Sequence, residues 1–143
     1  MIRVQPEDFD TAAEIARLKA STDTGAVATF TGHVRADDGL IALTLEHYPA
    51  MTEREIARHV AEAEERWPLL GVTIIHRVGR LVPGDRIVFV GVASSHRHAA
   101  FEACEFLMDY LKIHAPFWKQ EERASGTRWV EAKSADDEAA RRW

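Results

Sequence analysis

Cysteine and long apolar runs are the two features that this sequence of 143 residues has least of. Cys104 is the only cysteine, which excludes an internal disulfide and a cysteine-based metal cluster and favours a reducing compartment. Nowhere do about eighteen apolar residues follow one another, and the charged start of the sequence has no apolar run behind it. We therefore expect no membrane span and no signal peptide, and we predict a cytoplasmic protein.

Positive charge is also in deficit, because the formal net charge at pH 7 is -5. A surface of this sign does not attract a phosphate backbone, which argues against a nucleic-acid-binding protein. Any site for an anion must then be local. With 46% hydrophobic and 29% charged residues, the sequence has the composition of one globular domain over residues 1–143.

Lysine is the rarest basic residue, with four lysines against fourteen arginines, yet two of the four delimit the short segment Lys112–Lys119. Arginine stays protonated, whereas lysine is a compact charge that can serve as an electrostatic catalyst, a proton donor or a nucleophile. A simpler interpretation is also open, in which Lys112 complements the dipole at a helix end and Lys119 extends into water. The segment is a candidate anion site on the first interpretation and ordinary surface on the second.

Hydrophobic periodicity changes repeatedly between helix and strand spacing along the sequence. We expect helices over residues 10–20, 52–67 and 97–114, the second opened by a capping box at Thr52–Glu55 and the third burying Phe101, Cys104, Met108 and Leu111. We expect antiparallel hairpins from residues 25–35 with 40–48, 72–78 with 86–93, and 117–123 with 128–132. Residues 134–143 form either a short terminal helix or a frayed tail. The predicted class is α+β, with a mainly antiparallel sheet of hairpins and packed helices.

Pro116 decides how the two lysines can meet. Proline lacks an amide hydrogen and its ring clashes with the preceding turn, so the third helix must end before it. Lys112 then closes that helix while Lys119 lies on the strand that follows. Their side chains converge only if the chain folds back at this point.

Two further clusters carry candidate anion ligands. His96 and Arg97 follow Ser94 and Ser95 at a strand-to-helix junction, where a helix start can bind phosphate. The alternative is that a serine caps the helix and Arg97 is solvated. The segment His33-Val34-Arg35 ends a strand with His33 and Arg35 on one face, which could equally be a polar strand surface. Together the clusters predict a cationic site built from Arg35, Arg97, Lys112 and Lys119.

Other chemistries lack the residues they need. No set of His, Cys, Asp and Glu has metal-ligand spacing, so we predict no metal site and no cofactor. The dinucleotide, phosphate-loop and serine-elbow motifs are absent. Glu121 and Glu122 are adjacent and point to opposite faces of a strand, which does not suit a glycosidase pair.

Seven short blocks follow one another in order along the sequence. They are Phe30-Thr-Gly-His-Val-Arg35, Leu43-Thr-Leu-Glu-His-Tyr-Pro-Ala-Met51, His76-Arg-Val-Gly79 with Pro83-Gly-Asp85, Ser95-His-Arg97, Met108-Asp-Tyr-Leu-Lys112, Ala115-Pro-Phe-Trp-Lys-Gln-Glu121 and Arg128-Trp-Val-Glu-Ala132. Several independent blocks in one order are far harder to meet by chance than a single motif. On these blocks the sequence resembles the large, catalytic subunits of molybdopterin synthase over nearly its whole length.

The resemblance implies an α/β-hammerhead type of fold and a sulfur transferase. The family converts cyclic pyranopterin monophosphate into molybdopterin. Its sulfur comes from a thiocarboxylate on the C-terminal glycine of a small ubiquitin-like partner subunit. Two large subunits form a dimer with a small subunit at each end, and the pocket draws on both large subunits.

The resemblance also implies roles for individual residues. The catalytic lysines fall on Lys112 and Lys119, and the substrate contacts fall on His33, Val34, Arg35, His96, Arg97, Lys112, Lys119, Gln120 and Glu121. In our hypothesis the arginines hold the phosphate and pterin, while the lysines orient the thiocarboxylate and stabilise the charge that develops. Three alternatives stay open: a lysine that acts as a covalent nucleophile, a docking module without catalysis, and an enzyme for another phosphate ligand. The turn over residues 36–39 is shorter than in many relatives, and His33 stands where they often carry lysine.

Overall fold

The structure, a computed structural model, describes the backbone of residues 1–130 and 134–143 and the side chains of residues 1–130 and 138–143. Its elements in chain order are β1 (Ile2–Gln5), α1 (Thr11–Leu18), β2 (Ala26–His33), β3 (Ala42–His47), α2 (Pro49–Arg66), β4 (Leu69–Arg77), β5 (Gly79–Leu81), β6 (Arg86–Ser94), α3 (Arg97–Ile113), β7 (Phe117–Arg123), β8 (Gly126–Val130) and α4 (Ser134–Arg141). The strands form two sheets, ordered β1-β4-β6-β2 and β5-β3-β7-β8, and the pairs other than β1 with β4 are antiparallel. The α+β class is confirmed.

Strand β6 forms the centre of the first sheet because its residues are apolar on both faces. Val90 and Val92 pack with Ile56 of α2 and Leu107 of α3 in the largest core cluster. Phe89 points the other way and packs with Phe9 and the apolar side of α1. Helices therefore cover both faces of the strand, as its continuous apolar run predicts.

The predicted start of the second helix is wrong by three residues. Helix α2 begins at Pro49, with Tyr48 as its extended N-cap residue. Proline is favoured at the first helical position because its fixed φ suits the helix and its missing amide hydrogen has no partner to lose there. Thr52 consequently lies inside the first turn, where it is buried and its amide donates to the Tyr48 carbonyl at 2.9 Å. The capping box at Thr52–Glu55 does not form.

The predicted hairpin between residues 25–35 and 40–48 is also wrong. Strand β2 pairs with β6 in the first sheet, whereas β3 pairs with β5 and β7 in the second. The turn between them has left-handed backbone at Asp38, with φ of 48°, and at Gly39, with φ of 72°. One nitrogen of Arg123 donates to the carbonyls of Asp37 and Asp38 at 2.7 Å each. These contacts hold the turn against β7 and direct the chain into the other sheet.

The remaining sequence predictions are confirmed in their main features. Strands β4 and β6 pair antiparallel, although β5 interrupts their connection, and β7 and β8 form a hairpin. Helix α4 shows that residues 134–141 are helical, while the predicted strand end at Ala132 lies outside the described residues.

Phe101 is 65% exposed, so its predicted burial is wrong. Among the described residues, no helix combines the length and the apolar character that a membrane crossing requires.

Glu14 ties α1 to the first sheet and gives the first testable prediction. Its buried carboxylate accepts hydrogen bonds from Arg3 and Arg17. Burial raises the pKa of this carboxyl, but the two arginines outweigh burial and lower the pKa below 4.5. Because the folded-state pKa is depressed, the stabilisation is complete above pH of about 4.5 and is lost as pH falls through the folded-state pKa.

We expect Glu14→Gln to lower the free energy of unfolding at pH 7 by about 1 to 3 kcal/mol, the usual range for hydrogen bonds to charged groups. Urea unfolding of both proteins at pH 7 and at lower pH measures this free energy. The difference between the variant and the wild type should shrink as the pH falls through the folded-state pKa, because the wild-type carboxylate is then protonated. Glu65→Gln, at an exposed position, is the control. Equal stability of Glu14→Gln and wild type at pH 7 would contradict the interpretation.

Candidate active site

The candidate site forms where α3 ends and β7 begins. Lys112 lies in the last turn of α3 and is exposed, and Lys119 is the third residue of β7 and is half-buried. Lys119 pairs with Leu45 of β3 on one side and with Val130 of β8 on the other. The chain thus folds back after Pro116, and the second lysine lies in the middle of a sheet.

Both lysines lie close to one buried histidine, His76 of β4. Burial, with a smaller contribution from the positive charges of Lys119, His47 and Lys112, lowers the pKa of His76 to about 4, although its hydrogen bond with the Arg77 carbonyl raises it. Lys112 at the end of α3 and Lys119 on β7 therefore both act electrostatically on the same ring. The helix end and the strand therefore bring their cations together.

Three rings connect the two sheets beside these lysines. The ring of His76 stacks on Phe117 with a centroid distance of 4.0 Å and an interplanar angle of 20°. His47 of β3 is paired with Phe117 of β7, and their ring centroids are 6.2 Å apart. His76 Nδ1 is 2.9 Å from the Arg77 carbonyl oxygen, which can only accept, so Nδ1 carries the proton and Nε2 keeps a lone pair.

The segment His33–Arg35 lies at the same end of the first sheet. Val88 of β6 pairs with His76 on one side and with Gly32 on the other, which puts Gly32 about 10 Å from His76 at the usual strand spacing. His33 and Arg35 are exposed, and Arg35 pairs with Asp37 at 3.1 Å.

Val34 points inward, with 4% of its surface exposed. Its amide donates to the Asp85 carbonyl and its carbonyl accepts from the Gly84 amide, each at 2.8 Å. Its side chain packs in the small core cluster with Leu43, Leu45 and Leu81. Val34 therefore holds His33 and Arg35 outward.

Gln120 and Glu121 continue β7 beyond Lys119 and are half-buried. Gln120 pairs with Thr44 and Trp129 and points to the face opposite Lys119, because successive strand residues alternate. Glu121 shares the face of Lys119, and its carboxylate accepts from Arg123 at 2.8 Å. Arg123 also holds the turn after Arg35. Glu121 therefore links β7, which carries Lys119, to that turn.

His96 and Arg97 lie at the other end of α3. Arg97 is its first residue and Lys112 its sixteenth, so their backbones are about 22 Å apart at 1.5 Å per residue. His96 is the N-cap residue but makes no capping bond with its side chain, and Ser94, which could have capped, donates to the Pro68 carbonyl at 2.8 Å. This end opens into a pocket of about 440 Å³ lined by Gly25, Ser95, His96, Arg97, His98 and Phe101. Within one chain, Arg97 does not join the lysines.

Sequence reasoning missed His76 and Phe117 as parts of the site. A signal was present, because His76 directly follows Ile74 and Ile75 in a mostly apolar strand and is the only histidine of that strand. Phe117 lay inside the lysine segment itself. Across the residues that the structure describes, no three His, Cys, Asp or Glu side chains form a group that could hold a metal ion.

The fold is an α+β domain in which the end of α3 and the neighbouring strand β7 each carry one lysine of the candidate site. The family model described as MoaE protein matches residues 4–114. The molybdopterin synthase catalytic subunit of Mesorhizobium japonicum is 58% identical over 99% of this chain and 92% of its own length. The MoaE protein structure from Burkholderia ambifaria has a TM-score of 0.87 at 53% identity and covers 100% of this chain and 97% of its own.

A more distant structure shows the same fold. It is a complex of subunits 1 and 2 of molybdopterin-converting factor from Helicobacter pylori, with a TM-score of 0.76 at 20% identity over 93% of this chain and 90% of its own. The family match and the identity over nearly the full length decide the assignment. The chain belongs to the MoaE family of molybdopterin synthase catalytic subunits.

Proposed function

We propose that this chain carries out the sulfur transfer that makes molybdopterin from cyclic pyranopterin monophosphate, with Lys112 and Lys119 as its catalytic residues. The observation that supports this most is the placement of Lys112 at the end of α3 and Lys119 on β7, on either side of the turn at Pro116, where both act on the pKa of His76. Sulfur arrives as the thiocarboxylate on the C-terminal glycine of a small ubiquitin-like subunit. A cytoplasmic location fits this role, because the thiocarboxylate and the reduced pterin need a reducing compartment.

Electrostatics explains why the reaction needs cations in place beforehand. The pterin is a phosphate ester and the sulfur donor is a thiocarboxylate, so both reactants are anions. Bringing them together in a partly dry site costs Coulomb energy unless fixed positive charges offset it. Lys112 and Lys119 hold the thiocarboxylate while its sulfur attacks the pterin carbon, and they stabilise the charge released as the cyclic phosphate opens. Water then hydrolyses the thioester that joins the two reactants, which leaves the sulfur on the pterin and releases the small subunit with an ordinary carboxylate. His33 and Arg35, at the same end of the sheet, bind the phosphate side.

A second copy of the chain supplies His96 and Arg97. They lie about 22 Å from Lys112 along α3, so one chain cannot place them on the same substrate. The resemblance to the family implies a dimer whose pocket draws on both large subunits, and the Helicobacter pylori relative is itself a complex of two different subunits. In our proposal two copies of this chain pair, each binds one small subunit, and each pocket takes its lysines from one copy and Arg97 from the other.

Reconstitution tests the function. The purified chain, supplied with cyclic pyranopterin monophosphate and the thiocarboxylated small subunit, should form molybdopterin with two sulfurs transferred per pterin. Oxidation of the product to a fluorescent pterin, followed by chromatography, measures it. The control is the same small subunit with an ordinary C-terminal carboxylate, which should give no product. Binding of the thiocarboxylated tail without product formation would overturn the proposal and leave a docking module.

A further inference from the structure

Phe101 is the most exposed large apolar side chain among the described residues, with 65% of its surface accessible. The other apolar residues of α3 are mostly buried. One exposed phenylalanine is ordinary by itself. Phe101 differs because it lines the pocket of about 440 Å³ at the start of α3, together with His96 and Arg97. The pocket therefore combines an aromatic surface with basic side chains.

Helical spacing puts the ring and the guanidinium on one side of α3. Arg97 and Phe101 are four residues apart, which is about 6 Å along the helix axis and about 40° around it. The nearby carboxylate of Glu102 is already partnered, because it contacts His98 one turn earlier. Among the described residues, the side chains of His96 and Arg97 form no hydrogen bond or ion pair. Both remain available to a ligand.

The backbone at this end of α3 also suits an anion. His96 caps no amide with its side chain, so the first amides of the helix have no side-chain partner from the N-cap residue. Gly25 lines the same pocket, and a Cβ there would lie 2.0 Å from the Ser95 carbonyl oxygen. Glycine thus lets the chain before β2 approach the start of α3. A helix start beside an arginine favours a phosphate, and the neighbouring ring favours a flat group.

We propose that Phe101 is the platform on which the pterin ring of the substrate stacks, beside the phosphate contacts of His96 and Arg97. The inference rests on the proposed function, which supplies a substrate that has both a flat heterocycle and a phosphate. Stacking requires only a flat face on the ligand, so one aromatic side chain suffices for it. Since Arg97 serves the lysines of the other copy, Phe101 contributes to that same pocket and fixes the plane of the ring there.

Substitution of Phe101 separates stacking from simple apolar contact. Phe101→Leu keeps an apolar side chain without a flat ring, whereas Phe101→Tyr keeps the ring. We expect Phe101→Leu to weaken the binding of cyclic pyranopterin monophosphate by about 5- to 100-fold, the range expected for stacking on an aromatic side chain. Phe101→Tyr should bind within about twofold of wild type. Anaerobic titration calorimetry measures both, and Ile41→Ala, an exposed apolar position just before β3, is the control.

Inorganic phosphate distinguishes the ring from the cations. It has no flat face, so its affinity should be the same for wild type and Phe101→Leu, whereas Arg97→Gln should weaken phosphate and precursor alike. In turnover, Phe101→Leu should raise the precursor concentration that gives the half-maximal rate. The single-turnover rate at saturation should stay unchanged, because stacking stabilises the bound substrate and the transition state equally.

The outcomes decide the role of Phe101. Loss of precursor binding in Phe101→Leu, with wild-type binding in Phe101→Tyr, supports the platform. Equal precursor binding by Phe101→Leu and wild type overturns it. A parallel loss of phosphate binding, or a weaker dimer in sedimentation velocity, also overturns it, because the ring then maintains the pocket or a contact between copies. Wild-type protein that binds the precursor but forms no molybdopterin refutes the proposed function, while the binding comparison still decides whether Phe101 stacks on the ring.

Discussion

Lys119→Ala should lower the rate of molybdopterin formation by about 10²- to 10³-fold, the usual cost of removing one preorganised charge from an active site. The physical reason is its position. Lys119 lies in the middle of the second sheet, between Leu45 and Val130, so solvent cannot easily replace its charge. Single-turnover kinetics with excess thiocarboxylated partner measures the chemical step without product release.

Two matched variants show whether the charge or its shape matters. Lys119→Arg keeps a positive charge but changes its geometry, and we expect it to recover little of the rate, since a planar guanidinium cannot replace a compact ammonium. Lys19→Ala removes an exposed lysine at the end of α1 and should leave the rate unchanged. Folded Lys119→Ala protein that turns over at the wild-type rate would remove Lys119 from the catalytic residues. Full activity of Lys119→Arg would point to a simple electrostatic anchor.

The elements that could be predicted from sequence are those with local signals. Helix α3 has an apolar stripe and ends before Pro116, which no helix interior accommodates. Strand β6 is apolar on both faces, and the hairpin of β7 and β8 turns at Gly126, whose φ of 128° few other residues adopt. Each of these signals lies within the element itself or at most three residues beyond it.

The pairing of β2 and β3 could not be predicted because its determinant is distant in sequence. The turn after Arg35 resembles a hairpin turn locally. Its direction is set by Arg123, which is 86 residues from Asp37 and reaches it only because β7 lies beside β3 in the folded chain. A pattern read within a window of ten residues cannot include that contact.

The candidate site, like the fold, could be predicted from the sequence only in part. The rarity of lysine and the proline between Lys112 and Lys119 identified the cations, because both are properties of the sequence. The position of His76 depends on the contact between β4 and the start of β7, and the separation of Arg97 from Lys112 depends on α3 being one continuous helix. The four cations predicted as one cluster are therefore divided, with Arg97 at the start of α3 and Lys112 at its end.

Mixed dimers should recover about half of the wild-type rate, if the two ends of α3 serve different pockets. Arg97→Ala and Lys119→Ala each disable both pockets of their own homodimer. A dimer with one copy of each has one pocket that carries both substitutions and one that carries neither. Purified by two different affinity tags, it should show about half of the wild-type rate, because symmetry places one intact pocket in every mixed dimer.

The matched control is a mixed dimer of Lys112→Ala with Lys119→Ala. Both lysines act on His76 from the same chain, so every pocket of this dimer lacks one of them and the rate should stay low. Recovery in this control would mean that the lysines of one pocket come from different copies. Failure of Arg97→Ala with Lys119→Ala to recover would mean that Arg97 serves the lysines of its own chain, or none, and the two-copy pocket would have to be abandoned. Recovery of the mixed dimer of Arg97→Ala with Lys119→Ala is the expected result, because one continuous helix separates Arg97 from Lys112 by about 22 Å.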